Sequence, residues 1–131
     1  MSYNISSFRT KRLEQLSIPF AALTVLSQEL VDRGWGSHLS AEIRVKEKEL
    51  AVYIDFVEGE GVVGVLSGTN VIVREICLMG EASGTAYREI LLPALKTSTG
   101  ILEAVLIWEG GESITRLIVN DGEVIEQDVE L

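Results

Sequence analysis

The sequence predicts an α+β domain: a mainly antiparallel sheet of about six or seven strands with two principal helices packed on one face. Three observations carry that expectation. Apolar residues recur at helical spacing from Pro19 to Arg33, and less cleanly from Thr85 to Lys96. Elsewhere, short runs alternate apolar with polar residues or are wholly apolar, as strands do. Glycine-containing or charged turns separate these runs and suit hairpins between antiparallel neighbours. A helix followed by three strands occurs twice in this reading, so both helices are expected to cover the same sheet face.

Taken in order, Phe8 to Leu16 reads as a short helix or an arm, with Arg9, Lys11 and Arg12 as its basic cluster. The first clear helix runs from about Pro19 to Arg33. Ser17 is placed to cap it, and Pro19 suits a first turn whose N–H has no partner anyway. Leu23, Leu26, Leu30 and Val31 form its apolar stripe beside Phe20. Gly34 stands where a left-handed residue commonly ends a helix.

Ala41, Ile43 and Val45 then alternate with Ser40, Glu42, Arg44 and Lys46, a strand pattern. Glu47-Lys48-Glu49 turns into a second strand, Leu50 to Val57. Val62 to Leu66 and Val71 to Met79 follow across Glu58-Gly59-Glu60-Gly61 and Ser67-Gly68-Thr69-Asn70. In the second helix Tyr87, Ile90, Leu91 and Leu95 make the expected buried stripe. Pro93 lies too far in for a first turn, so this helix is expected to kink or end early. Ile101 to Trp108 is nearly all apolar and reads as a central strand covered on both faces. Ser113 to Val119 leads through Asn120-Asp121-Gly122, a primed hairpin turn, into Val124 to Leu131. There Ile125, Val129 and Leu131 are expected to face inward, with Glu126, Asp128 and Glu130 outward as the charge that protects an edge strand. A loose echo between the two valine-flanked glycine–acid turns is common hairpin vocabulary and establishes no duplication.

The 131 residues carry 20 acidic and 11 basic side chains, a net charge of −9, and are 47% hydrophobic. That length fits a single domain spanning residues 1–131, and the apolar content excludes intrinsic disorder. No window approaches the ~18 uncharged apolar residues of a membrane-spanning helix. The first residues show no basic start followed by an apolar run, so a cytoplasmic setting is expected. Cys77 is the only cysteine, which excludes an internal disulfide and leaves a thiolate metal site without ligands. The acidic balance argues against nucleic acid as a partner. From Thr97 onward, eight acidic residues face only Arg116, so one end of the chain holds most of the negative charge.

Few residues suggest chemistry. His38 is the lone histidine and the first candidate general base, with Ser37 adjacent, yet neighbours on an extended segment point apart. Asp55, Glu58 and Glu60 cluster without the spacing of a calcium loop. Asp55 is the second weak catalytic candidate. Gly80 to Thr85 is glycine-rich before a helix but lacks a phosphate loop's lysine; Ser83 or Thr85 as a simple helix cap explains it equally well. Cys77 among apolar neighbours reads as a buried, inert thiol. Trp35 either seals the first helix against the sheet or stands exposed as an interface anchor. No cofactor or metal motif is present, and the balance leans away from an enzyme.

Two architectures have a similar element order. Small acidic domains with helices on one face of an antiparallel sheet resemble the dimeric chaperones of bacterial secretion systems, although those end in a third helix that Val124 to Leu131 lacks. N-terminal helices followed by a curved sheet resemble cone-shaped domains that hold small ligands or a catalytic Asp–His pair. That resemblance implies a pocket near Tyr53, Asp55, Trp108 and Arg116. The leading expectation is a protein-association module, as a homodimer or an adaptor, because several strands look apolar on both sides while two helices cover only one. Trp35, Val71 and Val73 are then the interface candidates. A small-molecule site is the alternative.

Overall fold

The computed structural model describes residues 4–35, 39–57, 59–110 and 113–130. Its chain order is β1 (Ile5–Pro19), α1 (Phe20–Asp32), β2 (Ser40–Lys46), β3 (Glu49–Val57), β4 (Glu60–Ser67) and β5 (Asn70–Cys77). A second helical segment follows: α2 (Ser83–Ala86), a π-helical turn (Tyr87–Leu91) and α3 (Leu92–Leu95). The chain then returns as β6 (Thr99–Trp108), β7 (Ser113–Asn120) and β8 (Glu123–Glu130). These strands form one eight-stranded sheet in the order β2-β3-β4-β5-β1-β6-β7-β8, with every pairing antiparallel. The sheet is thus larger than the six or seven strands expected. A strand precedes the first helix, and the four strands that follow it are those read individually, one more than the helix–three-strand order allows.

The leading strand is the main correction. Phe8 to Leu16 is neither helix nor arm but the middle of β1, which lies between the β2–β5 meander and the β6–β8 meander. Its pairing with β6 slips by one residue at three places: between Ile5 and Ser7, Thr10 and Arg12, and Glu14 and Ser17. Each slip is a β-bulge, which adds a residue to one strand and bends it. The bulges also explain why the strand was hidden. The apolar residues Ile5, Phe8, Leu13, Leu16 and Ile18 fall three, five, three and two apart, so period-two alternation is lost. Ser17 consequently pairs with Ile72 and Thr99 instead of capping α1.

The helices match expectation more closely. Pro19 flanks α1 in extended backbone, and Gly34 ends it with a φ of 89°. Leu23 and Leu30 are buried, and Trp35 packs partly buried against the core. In the second segment Tyr87, Ile90, Leu91 and Leu95 are all fully buried. Pro93 does not end it. The backbone widens to a π turn just upstream, the Leu92 N–H donating to the Tyr87 carbonyl, and the helix then carries Pro93 in the first turn of α3. Both segments lie on one sheet face over a single core that includes Val52, Ile54, Phe56, Val71, Val73, Leu102, Leu106 and Leu117. Val71 and Val73 are therefore core residues, which removes them as interface candidates.

The other face has no layer over it among the described residues. In β6 Leu102, Ala104, Leu106 and Trp108 are buried, whereas Ile101, Glu103, Val105 and Ile107 remain partly exposed. The strand is central, as expected, but covered on one side only.

Gly100 has a φ of +94°, and a Cβ there would sit 2.3 Å from the Gln15 carbonyl oxygen in the last bulge. Gly68 (φ +62°) has open space around it. Gly68→Ala is expected to cost about 1–2 kcal/mol, the left-handed penalty alone. Gly100→Ala adds a backbone clash of roughly 1–3 kcal/mol. Urea denaturation of the two variants measures the difference directly.

Candidate functional site

The densest polar constellation links the second helical segment to the β7–β8 edge. The buried Tyr87 hydroxyl donates to Glu126 Oε2 (3.0 Å). Its ring meets Trp108 edge-on, with centroids 6.0 Å apart and planes at 72°. Trp108 Nε1 donates to Thr115 Oγ1 (2.8 Å), which donates in turn to Asp128 Oδ1 (2.7 Å). The Arg88 guanidinium lies 5.8 Å from the Tyr87 ring centre and 5.1 Å from that of Trp108, and Nη1 reaches Glu126 Oε2 at 3.8 Å. Each polar group is thus answered by another within the set. The arrangement fastens the last strand to the core and leaves no unengaged base beside a nucleophile.

This cluster reverses the expected facing of β8. Val119 pairs with Val124, Leu117 with Glu126 and Thr115 with Asp128, so the two carboxylates lie on the helix-covered face. Ile125 and Val129, expected inside, are 44% and 50% exposed on the other face. The reason is chemical: Tyr87 and the Trp108–Thr115 pair need acceptors on the covered side.

The remaining candidates do not converge. His38, Ser37 and Glu58 lie outside the described residues. Tyr53 and Asp55 are partly buried on the uncovered face of β3, while Trp108 occupies the opposite face of β6, with β4, β5 and β1 between the two strands. Arg116 shares the uncovered face but is in β7, so Tyr53, Asp55, Trp108 and Arg116 build no common pocket. Cys77 is partly buried at the end of β5, and burial followed by the charges of Glu60 and Glu75 pushes its thiol up, against thiolate formation. Burial likewise raises the Glu60 carboxyl, which accepts the Met79 N–H.

The Gly80–Thr85 turn clasps the start of β1. Gly80 N–H donates to the Ile5 carbonyl (2.9 Å), Ile5 N–H to Ser83 Oγ (2.6 Å), and Ala82 N–H to Asn4 Oδ1 (3.2 Å). No side-chain cap closes α2. Among the described residues, no group of His, Cys, Asp and Glu side chains is arranged to hold a metal ion. An open depression of about 490 Å³, lined by Glu14, Gln15, Gly100, Ile101, Asn120 and Asp121, contains none of the candidate residues. No helix among the described residues is long and apolar enough to cross a membrane.

The uncovered face is where sequence reasoning was least specific. Three rows cross β1, β6, β7 and β8 in register: Ser7–Ile107–Ile114–Val129, Arg9–Val105–Arg116–Gln127 and Arg12–Glu103–Ile118–Ile125. A fourth holds Glu14, Ile101, Asn120 and Glu123. Seven aliphatic side chains therefore share this surface with three arginines and three glutamates. Arg12 is paired with Glu14 (2.8 Å) and Glu103 (3.6 Å), but Arg9 and Arg116 have no ion pair among the described residues. Alternation in β6 and β7 was the signal that pointed here; it was masked because both faces of each strand are apolar.

Comparison with known protein families, curated proteins and solved structures finds no match.

The Tyr87 phenol is held well above its ordinary value by burial, then by the neighbouring Glu126 charge. Folding thus retains the proton: this contribution is fully present below about pH 10, where an unfolded tyrosine titrates, and is lost as pH rises beyond it. Ultraviolet titration is expected to show Tyr87 ionising only as the protein unfolds in alkali, and Tyr87→Phe to remove that step. Thr115→Val leaves the Trp108 indole N–H without its acceptor, at a cost of roughly 1–3 kcal/mol, measured by urea denaturation followed through tryptophan fluorescence.

Proposed function

We propose that the protein acts by association, as an adaptor module that presents the uncovered face of β1 and β6–β8 to a partner protein. The observation that carries this reading is the in-register apolar surface made by Ile101, Val105, Ile107, Ile114, Ile118, Ile125 and Val129, which no described residue covers. Exposed apolar area of this extent is a feature of interaction surfaces in soluble proteins; here Arg116 and Gln127 interrupt it between the Ile114–Val129 and Ile118–Ile125 pairs. Charge refines the choice of partner. The chain carries −9 overall, yet this face balances Arg9, Arg12 and Arg116 against Glu14, Glu103 and Glu123. An acidic protein therefore meets little repulsion here, and Arg9 and Arg116 are available to its carboxylates.

The test is capture by the immobilised full chain, compared with an Ile114→Glu/Ile118→Glu variant of unchanged circular dichroism. A partner bound through this face is expected to lose more than tenfold in affinity, consistent with hot-spot losses of about 2 kcal/mol or more. Arg116→Glu weakens binding further at low salt than at high salt, because screening suppresses the charge contribution. Capture indifferent to all three substitutions overturns the docking face.

A further inference from the structure

The sheet ends in two edges of different chemistry. β8 closes one side with Glu123, Glu126 and Asp128 and no basic residue. If two copies paired β8 with β8 antiparallel over most of its length, Glu126 would meet Glu126 or Asp128 of the second copy. Like charges placed directly opposite are destabilising, so this edge resists self-pairing.

β2 forms the other edge, and its charges, Glu42, Arg44 and Lys46, are of both signs rather than all acidic. All seven of its residues are exposed, its register against β3 is unbroken from Ser40–Asp55 to Lys46–Glu49, and it contains no proline. Its outer backbone groups have no strand beside them among the described residues. Ile43 and Val45 project from the helix-side face at 47% and 81% exposure, next to Leu50. Glu42 and Arg44 project from the opposite face, where Arg44 makes a two-point pair with Glu42 (2.7 and 2.9 Å) and lies over the Tyr53 ring.

Two-fold symmetry restricts how this edge can meet itself. The side-chain faces must match, so the residue numbers in each opposed pair sum to an even value. Centring the pair on Glu42 opposes two glutamates, and centring it on Arg44 opposes two arginines. Centring it on Ile43 places each Glu42 opposite an Arg44, Ile43 against Ile43, and Val45 against Ala41. One face then holds an alternating square of four charges, and the other a small apolar strip. Opposite charges and aliphatic pairs directly across from one another are the contacts that stabilise antiparallel strands.

We propose that β2 is a self-recognition edge through which two copies of the chain join antiparallel about Ile43 into a continuous sixteen-stranded sheet. The occupant is a second copy because this register sets Glu42 against Arg44 twice and opposes no like charges, whereas centring on Arg44 pairs Glu42 with Lys46 but sets arginine against arginine. This names the chain itself as one partner within the association reading. The edge shares no residue with the β1/β6–β8 docking face, so each surface fails or stands on its own measurement.

The experiment is sedimentation equilibrium of the full chain and its charge variants, with circular dichroism as the folding check. Wild type is expected to dimerise at micromolar to high micromolar concentration. Glu42→Arg and Arg44→Glu, each alone, oppose like charges and weaken self-association at least tenfold. The two single variants mixed together pair with each other, and the double swap Glu42→Arg/Arg44→Glu restores the wild-type dimer. Ile114→Glu/Ile118→Glu leaves the dimer intact even where it abolishes partner capture. A wild type that stays monomeric at high micromolar concentration overturns the proposal. So does a dimer indifferent to both single reversals, a mixture that fails to pair, or an open series of growing oligomers, which would signify β2-to-β8 contact.

Discussion

Two meanders depend on one strand. β2–β5 and β6–β8 are each continuous hairpin sequences, and each would end in an unpaired inner edge if β1 were absent. β1 occupies the space between them, pairing along β6 from Ile5 to Ser17 and with β5 over Ser17–Pro19. Its N-terminal end is held to the other side by the Ile5–Gly80 bridge and by Ser83. Ile5 and Trp108 are 103 residues apart, so this pairing must offset a large loop-closure entropy before the two halves share a core. The three bulges bend the strand along its pairing with β6.

The helical layer draws on the same constraint. Leu16 and Ile18 of β1 are fully buried beneath it, alongside Leu102 and Leu106 of β6. With β1 in place the layer has a continuous floor, and the rings of Tyr87 and Trp108 meet above it. The carboxylates of β8 then complete the far side of the core as hydrogen-bond acceptors, even though they belong to an edge strand. An edge strand rich in acidic residues can thus be both a barrier to aggregation and part of the interior polar network.

The legible parts of this fold were those where one physical rule acted alone. α1 between Pro19 and Gly34, the Ser40–Val57 hairpin and the Asp121–Gly122 turn follow from periodicity and positive-φ preference. Rules in competition were not legible. In β1 the bulges broke the alternation; at Pro93 a π turn absorbed what a plain helix would not tolerate; in β8 the hydrogen-bonding demand of Tyr87 and Thr115 outweighed the hydrophobicity of Ile125 and Val129. The candidate surfaces were harder still. A sheet face becomes visible only once the register of four strands is known, because Val105 and Arg116 become neighbours through pairing and not through spacing. The expectation that two helices leave apolar strands short of cover pointed to such a surface without locating it.

The π turn at Tyr87–Leu91 has a consequence for length variation in this helix. A π turn is an α-helix with one additional residue accommodated in a single loop of backbone, and each residue of an α-helix advances about 100°. The extra residue therefore sets the angular phase between Tyr87 and the Leu91–Leu95 stretch. With it, Tyr87 points at Trp108 and Glu126 while Leu91 and Leu95 still face the sheet. Deleting any one residue of the turn would remove about 100° of winding and rotate the two halves out of agreement. Either the aromatic contact or the aliphatic floor would then be lost, so this short helix is less free to change length than the exposed turns on either side of the sheet.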